Sequence, residues 1–216
     1  MGCKDINLHP PEAATERRNP GSRHSRFPSR ILRRMVRSIS TLLAAGFLFG
    51  PSFGADSQAV GQVLDRQFTI VDQEITSLVE AMPADKFNFA PSDIAIKGSE
   101  FKGVRTFAQQ AKHLAANIYD FSSAVLGGKP PVDIGKGDGP DSVQTKEQVV
   151  AYLKAAFAYG HRALLSLTRS NEMERPKGAP RIGAAVWMMW HSMDHYGQMV
   201  EYVRMNGIVP PATRQQ

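Results

Sequence analysis

The chain has 216 residues, of which 42% are hydrophobic and 21% are charged. This composition argues against an intrinsically disordered chain, and the length corresponds to one domain or one and a half. The only cysteine is Cys3, which excludes an internal disulfide and any cysteine-based zinc site.

The net charge of +6 is carried by the front of the chain. Residues 1–55 hold nine of the 26 basic residues and three of the 20 acidic ones, so residues 56–216 hold 17 of each and are neutral. A nucleic-acid-binding domain normally has a basic surplus on its folded part. We therefore expect no nucleic-acid partner.

Residues 1–55 show the three-part pattern of a secretory signal peptide. A basic stretch that ends at Arg37 precedes a short apolar core, residues 41–49. Small residues follow the core, and cleavage is expected after Gly54 or Ala55. The pattern predicts a secreted or periplasmic protein, and the true start of translation is either Met1 or Met35. The alternative is a short buried helix.

The same front segment argues against a membrane anchor. The apolar run at residues 39–49 is about half the ~20 residues that a membrane-spanning helix needs. No cysteine follows the apolar core, so a lipoprotein anchor is not expected. After cleavage of the signal we expect no membrane partner.

Four amphipathic helices are predicted behind this leader. Apolar residues recur at three- and four-residue steps over about 57–82, about 103–126, about 145–167 and about 181–206. Pro83 stops the first helix, the pair Gly127 and Gly128 ends the second, and Gly207 follows the fourth. The third helix opens at Thr145 with a capping box.

The fold class that follows is all-α, with residues 56–216 forming a single four-helix bundle. Each helix has one apolar stripe, which it can bury only against the other helices. No stretch alternates with period two for long enough to predict a strand. The links 83–102 and 127–144 are both long enough to cross a bundle lengthwise, so their lengths leave the topology open.

The fourth helix carries a pair of histidines that can bind a metal. His191 and His195 are four residues apart, so both project from one face, which the pattern predicts to be the inward face. Two imidazoles one turn apart can share one ion. Ser192 stands where the zinc-protease motif has its glutamate, so this is not that motif. The alternative is a buried histidine that hydrogen-bonds a neighbour.

Two further histidines are candidates for additional ligands. His113 on the second helix lies at the same depth in the bundle as the pair, but about 120° away from the centre of its own apolar stripe. It can be a ligand only if that flank faces the fourth helix. His161 lies within the stripe of the third helix, where a core histidine with one hydrogen bond is the more common role.

The chain resembles the DinB superfamily in the order and spacing of four segments. These are residues 81–91 after the first helix, residues 107–117 around His113, residues 191–198 with the histidine pair, and residues 202–211 with the closing Gly-Ile-Val-Pro-Pro. The resemblance covers residues 57–213. It implies an up-down-down-up bundle in which the link 127–144 is the long crossover.

The resemblance also implies a function. It implies a divalent ion, zinc or nickel, held by His113, His191 and His195 at the end of a pocket. Relatives include S-transferases that use the cytoplasmic thiols bacillithiol or mycothiol, and an isomerase that uses such a thiol. An exported protein fits poorly with these thiols. We therefore expect a metal-dependent hydrolase or a thiol S-transferase acting on an unidentified small molecule.

Other roles are assigned from position alone. Asp194, Tyr196 and Tyr202 are candidate proton shuttles, and Asn117 or Gln198 is a candidate to orient a histidine. The tryptophans and methionines at the start of the fourth helix, namely Trp187, Met188 and Trp190, are expected in the core, with a pocket wall as the alternative. The alternative function is non-catalytic binding of a small ligand or a protein by the bundle. The sequence leaves open whether the chain forms a homodimer.

Overall fold

The computed structural model describes residues 59–94 and 96–214. Four long helices carry this part of the chain: α1 (Ala59–Ala81), α2 (Phe107–Leu126), α3 (Lys146–Leu165) and α4 (Arg181–Met205). The described residues include no strand, so the all-α prediction is confirmed. The predicted leader, residues 1–55, lies outside the described residues.

The helix ends follow local sequence signals. The Thr145 side chain accepts a hydrogen bond from Gln148 N, which is the predicted capping box. Gly127 ends α2 with a φ angle of 79°, and Gly207 follows α4 with a φ angle of 73°. Glycine adopts such positive angles without steric cost. Each of these ends agrees with the sequence analysis.

The start of α2 differs from the prediction. The helix begins at Phe107 rather than near Gly103, because Gly103 has a φ of 81° and interrupts the helical backbone. A second capping box decides the position: the Thr106 hydroxyl accepts from Gln109 N, and the Gln109 side chain accepts from Thr106 N.

Contacts between helices establish the topology. The start of α3 meets the end of α1, where Lys146 Nζ donates to Glu80 O at 2.9 Å, so α1 and α3 are antiparallel. The end of α4 meets the chain just before α2, where Tyr202 Oη donates to Arg105 O at 3.1 Å, so α2 and α4 are antiparallel as well.

The remaining pair, α2 and α3, runs in parallel. Lys112 in the first half of α2 reaches Val143 O just before α3 at 3.3 Å, and the Ser123 and Tyr159 hydroxyls, which lie further along both helices, are 3.3 Å apart. The bundle is therefore up-down-down-up, as expected. The link 127–144 must cross the length of the bundle, because α3 starts at the same end as α2.

The core contains a close approach between α1 and α3. Phe68 and Phe157 pack with ring centres 5.3 Å apart and are almost fully buried. A Cβ at Gly160 would come within 2.6 Å of Phe68 Cε1, so the two helices approach at this level only because the side chain is absent. Such contacts bury a continuous apolar core.

The expected core positions of α4 are correct only in part. Met188 is fully buried, but Trp187 is 36% exposed and Trp190 is 54% exposed. Both tryptophans lie on the flank of α4 that borders α2, outside the buried face. Apolar residues occur nearly all around the first half of α4, so the spacing could not separate the buried face from an exposed apolar flank.

Within residues 59–94 and 96–214, no helix combines the length and apolarity that crossing a bilayer requires.

Candidate metal centre

Three histidines from two helices converge on one point. His113 lies on α2, and His191 and His195 lie on α4; the ring centres are 4.8 Å (113–195), 4.6 Å (191–195) and 5.7 Å (113–191) apart. One ring nitrogen from each residue lies within 4.8 Å of the other two. The antiparallel pairing of α2 with α4 places the three rings at one depth, and the flank of α2 with His113 faces α4.

Hydrogen bonds orient two of the three rings. His113 Nδ1 lies 2.7 Å from Gly137 O, and His195 Nδ1 lies 2.7 Å from Gln110 Oε1. A carbonyl oxygen can only accept, so these contacts place the proton on Nδ1 and leave Nε2 with its lone pair. In His113 this nitrogen lies 3.1 Å from the amide nitrogen of Asn117. Metal-binding histidines are commonly oriented in this way.

The crossover link supplies the partner of His113. Its turn Gly135–Gly137 includes Lys136 with a φ of 55°, a conformation that non-glycine residues rarely adopt. Asp138 follows, and its Oδ1 lies 3.2 Å from His113 Nδ1 and 2.8 Å from Arg105 Nη2. The long link thus does more than connect two helices, because it holds the His113 ring.

A chain of polar side chains supports His195. Gln110, only 3% exposed, donates from Nε2 to Gln198 Oε1 at 2.7 Å, and Gln198 donates to Asp194 Oδ2 at 3.2 Å. Gln198 therefore reaches the histidines through Gln110, which the sequence analysis missed. A polar residue one turn before His113, within the apolar stripe of α2, was the available signal.

Burial keeps the three rings neutral. It is the largest cause that lowers the pKa of His113 and of His191, and it lowers the pKa of His195 to about 3, with the neighbouring histidines adding to the effect. The Arg105 guanidinium lowers all three pKa values further. Neutral imidazole is the form that binds a metal ion.

The residues fit a divalent ion. His191 Nε2 and His195 Nε2 are 3.2 Å apart, close to the ~3.3 Å that separates two nitrogen ligands of a tetrahedral zinc ion at ~2.05 Å. Among the described residues, no Cys, Asp or Glu joins the three histidines as a fourth ligand. Three protein ligands with an open position are typical of catalytic rather than structural zinc sites.

A family model described as the DinB superfamily matches residues 67–199, which is more than half of the chain. The chain belongs to the DinB superfamily. The matched range runs from α1 through most of α4 and includes all three histidines, so the family resemblance seen in the sequence is confirmed. No curated protein matches the sequence.

In this DinB-superfamily chain, His161 is separate from the three histidines. It lies between α3 and α1, where Nδ1 is 2.7 Å from Asp65 Oδ1 and Nε2 is 3.5 Å from Asp72 Oδ2. Its ring also packs edge-on against Phe68, with centres 5.1 Å apart. The favoured expectation of a hydrogen-bonded histidine outside the site agrees with this position.

The three candidate proton shuttles differ in position. Asp194 is exposed, and its charge acts on His191, whose pKa it raises against the dominant effect of burial. The Tyr202 hydroxyl is engaged by the Arg105 carbonyl. Tyr196 faces α1, where burial and Glu74 raise its pKa. Asp194 is therefore the candidate that remains near the histidines of this DinB-superfamily bundle.

A cleft of about 570 Å³ lies beside the site, under the crossover link. Arg105, Lys112 and Asp138 are among the residues that line it, and none of the three histidines does. It therefore differs from the pocket ending at the histidines that the resemblance to the DinB superfamily implied. The three histidines lie instead along the seam between α2 and α4.

Proposed function

We propose that this DinB-superfamily protein is an exported, metal-dependent hydrolase. His113, His191 and His195 hold one divalent ion, zinc or nickel. The observation that carries the proposal is the convergence of three neutral imidazoles, two of them oriented by hydrogen bonds. The open coordination position favours catalysis over a purely structural role.

The chemistry divides between the ion and the protein. A divalent ion held by the three histidines would act as a Lewis acid and would supply a water-derived nucleophile near neutral pH. Gln110 and Gly137 O hold the His195 and His113 rings at the angle that presents Nε2. Asp194, whose charge acts on the neighbouring His191, is the carboxylate that would accept a proton from the attacking group. His113 keeps 14% of its side chain exposed, so its ring is not completely sealed from solvent.

Hydrolysis is favoured over thiol transfer by the leader. Residues 1–55 carry the signal-peptide pattern, which supports a secreted or periplasmic location. Bacillithiol and mycothiol, the thiols used by family relatives, are cytoplasmic. N-terminal sequencing of the mature protein from its native host tests the location: a first residue at 55 or 56 supports export, and an intact leader contradicts it.

Metal content is the first test. The chain is purified without a His-tag, and its metals are measured by mass spectrometry. We expect about one zinc or nickel ion per chain, lost in His191→Ala and retained in His161→Ala, the matched control on the α1–α3 side. Equal metal content in the two variants would refute the assignment of the ligands.

Turnover is tested separately. Ester and amide substrates are offered to the metal-loaded chain, to the chain treated with a chelator, and to the chain after zinc or nickel is restored. Activity that disappears and returns with the metal supports the hydrolase. A metal-loaded chain without turnover would instead support the alternative of a non-catalytic module that binds a small ligand or a protein.

A further inference from the structure

An exposed group of aromatic rings adjoins the three histidines. Trp187 and Trp190 on α4 are stacked, with ring centres 5.9 Å apart and planes 8° apart, and Phe121 on α2 packs against Trp187 at 5.3 Å. We call Phe121, Trp187 and Trp190 the aromatic platform. Trp190 is 54% exposed and Trp187 is 36% exposed, so much of the platform faces solvent.

The platform is continuous with the candidate metal centre. The Phe121 ring lies 5.7 Å from the His191 ring and the Trp190 ring lies 5.9 Å from it, both in edge-to-face geometry. His191 is therefore in contact both with the aromatic platform and with the other two histidines. The aromatic platform and the converging histidine nitrogens are therefore linked through the His191 ring.

The bundle is closed beneath the two tryptophans. The seam beneath them is closed by Met188 and Ser122, both fully buried, with the Ser122 hydroxyl 3.4 Å from Met188 Sδ. Contiguous exposed apolar groups are a common feature of ligand-binding surfaces. Trp190, the more exposed of the two stacked indoles, presents a flat ring to solvent. Flat rings stack on indoles with an energy beyond simple area burial.

We propose that the aromatic platform binds a flat aromatic group of the substrate and so places the bond to be cleaved at the three histidines. The substrate class is an ester or amide that carries a flat aromatic group near its carbonyl, because the Trp190 ring centre lies only 5.9 Å from the ring centre of His191. The placement of the bond rests on the proposed hydrolase, whereas the binding of the flat group does not.

The binding test uses the chain's two tryptophans, both of which belong to the platform. The two indole N–H signals are followed by NMR while the full chain is titrated with 2-naphthalenemethanol or with its saturated decahydro analogue. We expect both signals to shift saturably, and the flat alcohol to bind about 2- to 13-fold more tightly than the saturated one, from the extra energy of aromatic pairs.

Variants locate the effect. Trp190→Ala, at a position that is mostly exposed, should weaken the binding of 2-naphthalenemethanol, as followed through the Trp187 signal. Ile70→Ala, a half-exposed apolar residue on α1, is the matched control and should bind as the unchanged chain does. Equal affinity for the two alcohols, or equal affinity in the two variants, would overturn the proposal.

The failure of the platform and the failure of the hydrolase give different results. A metal-free, inactive chain that still binds 2-naphthalenemethanol through Trp190 retains the platform and loses the hydrolase. A zinc-loaded chain that hydrolyses the acetate ester of the decahydro alcohol as fast as 2-naphthylmethyl acetate retains the hydrolase and overturns the placement of the aromatic group. A dimer that Trp190→Ala converts to monomer in light scattering would show a subunit interface there and also overturn the proposal.

Discussion

Replacement of His195 by glutamine should make the metal-free protein less sensitive to acid. Burial lowers the pKa of His195 in the folded chain to about 3, from 6.5 in an exposed histidine. The unfolded chain therefore binds a proton at mildly acidic pH that the folded chain does not. Protonation of His195 does not change the free energy of unfolding above about pH 6.5. As the pH falls from there toward about 3, it lowers that free energy progressively.

The magnitude follows from the two pKa values. Between about pH 7.5 and about pH 5, a group that titrates at 6.5 when unfolded and at about 3 when folded lowers the free energy of unfolding by about 2 kcal/mol. Glutamine does not titrate. Over the same pH interval, the free energy of unfolding of His195→Gln should therefore fall by about 2 kcal/mol less than that of the unchanged chain. Any change in the free energy of unfolding that the substitution causes at pH 7.5 cancels, because each chain is compared with itself at the two pH values.

Urea unfolding with a chelator present measures the effect. The free energy of unfolding is determined at both pH values for the unchanged chain and for His195→Gln, and unchanged slopes with urea serve as the control for the denatured state. Circular dichroism first establishes that the variant is helical at pH 7.5. If both chains lose the same free energy between the two pH values, His195 is not buried as a neutral ring, and the electrostatic account of the site is wrong.

Three further outcomes are expected. Gln110→Leu removes the acceptor of His195 Nδ1, and metal affinity measured by chelator competition should fall about 10- to 100-fold; unchanged affinity would mean that Gln110 does not orient the ring. Gly160→Ala brings a Cβ within 2.6 Å of Phe68 Cε1 and should lower the free energy of unfolding by about 1–3 kcal/mol. Gly197→Ala places a Cβ with nothing within 4 Å and should raise the free energy of unfolding by about 0.5–1 kcal/mol. A lower free energy of unfolding would contradict the open space around Gly197. Urea unfolding measures both glycine variants.

Local sequence signals determined the helices. A capping box such as Thr145 with Gln148, and a glycine such as Gly207, act through hydrogen bonds and backbone angles that involve only a few neighbouring residues. The pairing of His191 with His195 is of the same kind, because a spacing of four places both on one helix face. The capping box at Thr106 was equally readable. The prediction began near Gly103 because Val104 lies three residues before Phe107 and so appeared to continue the apolar stripe.

The tertiary structure alone decided which faces meet. Nothing in α2 by itself states that the flank with His113 turns toward α4, that Gln110 accepts from His195, or that a carbonyl of the crossover link reaches His113. These contacts join residues that are 24 and 85 positions apart. They depend on the order of the helices around the bundle and on the path of the 127–144 link, and periodicity within one helix contains neither.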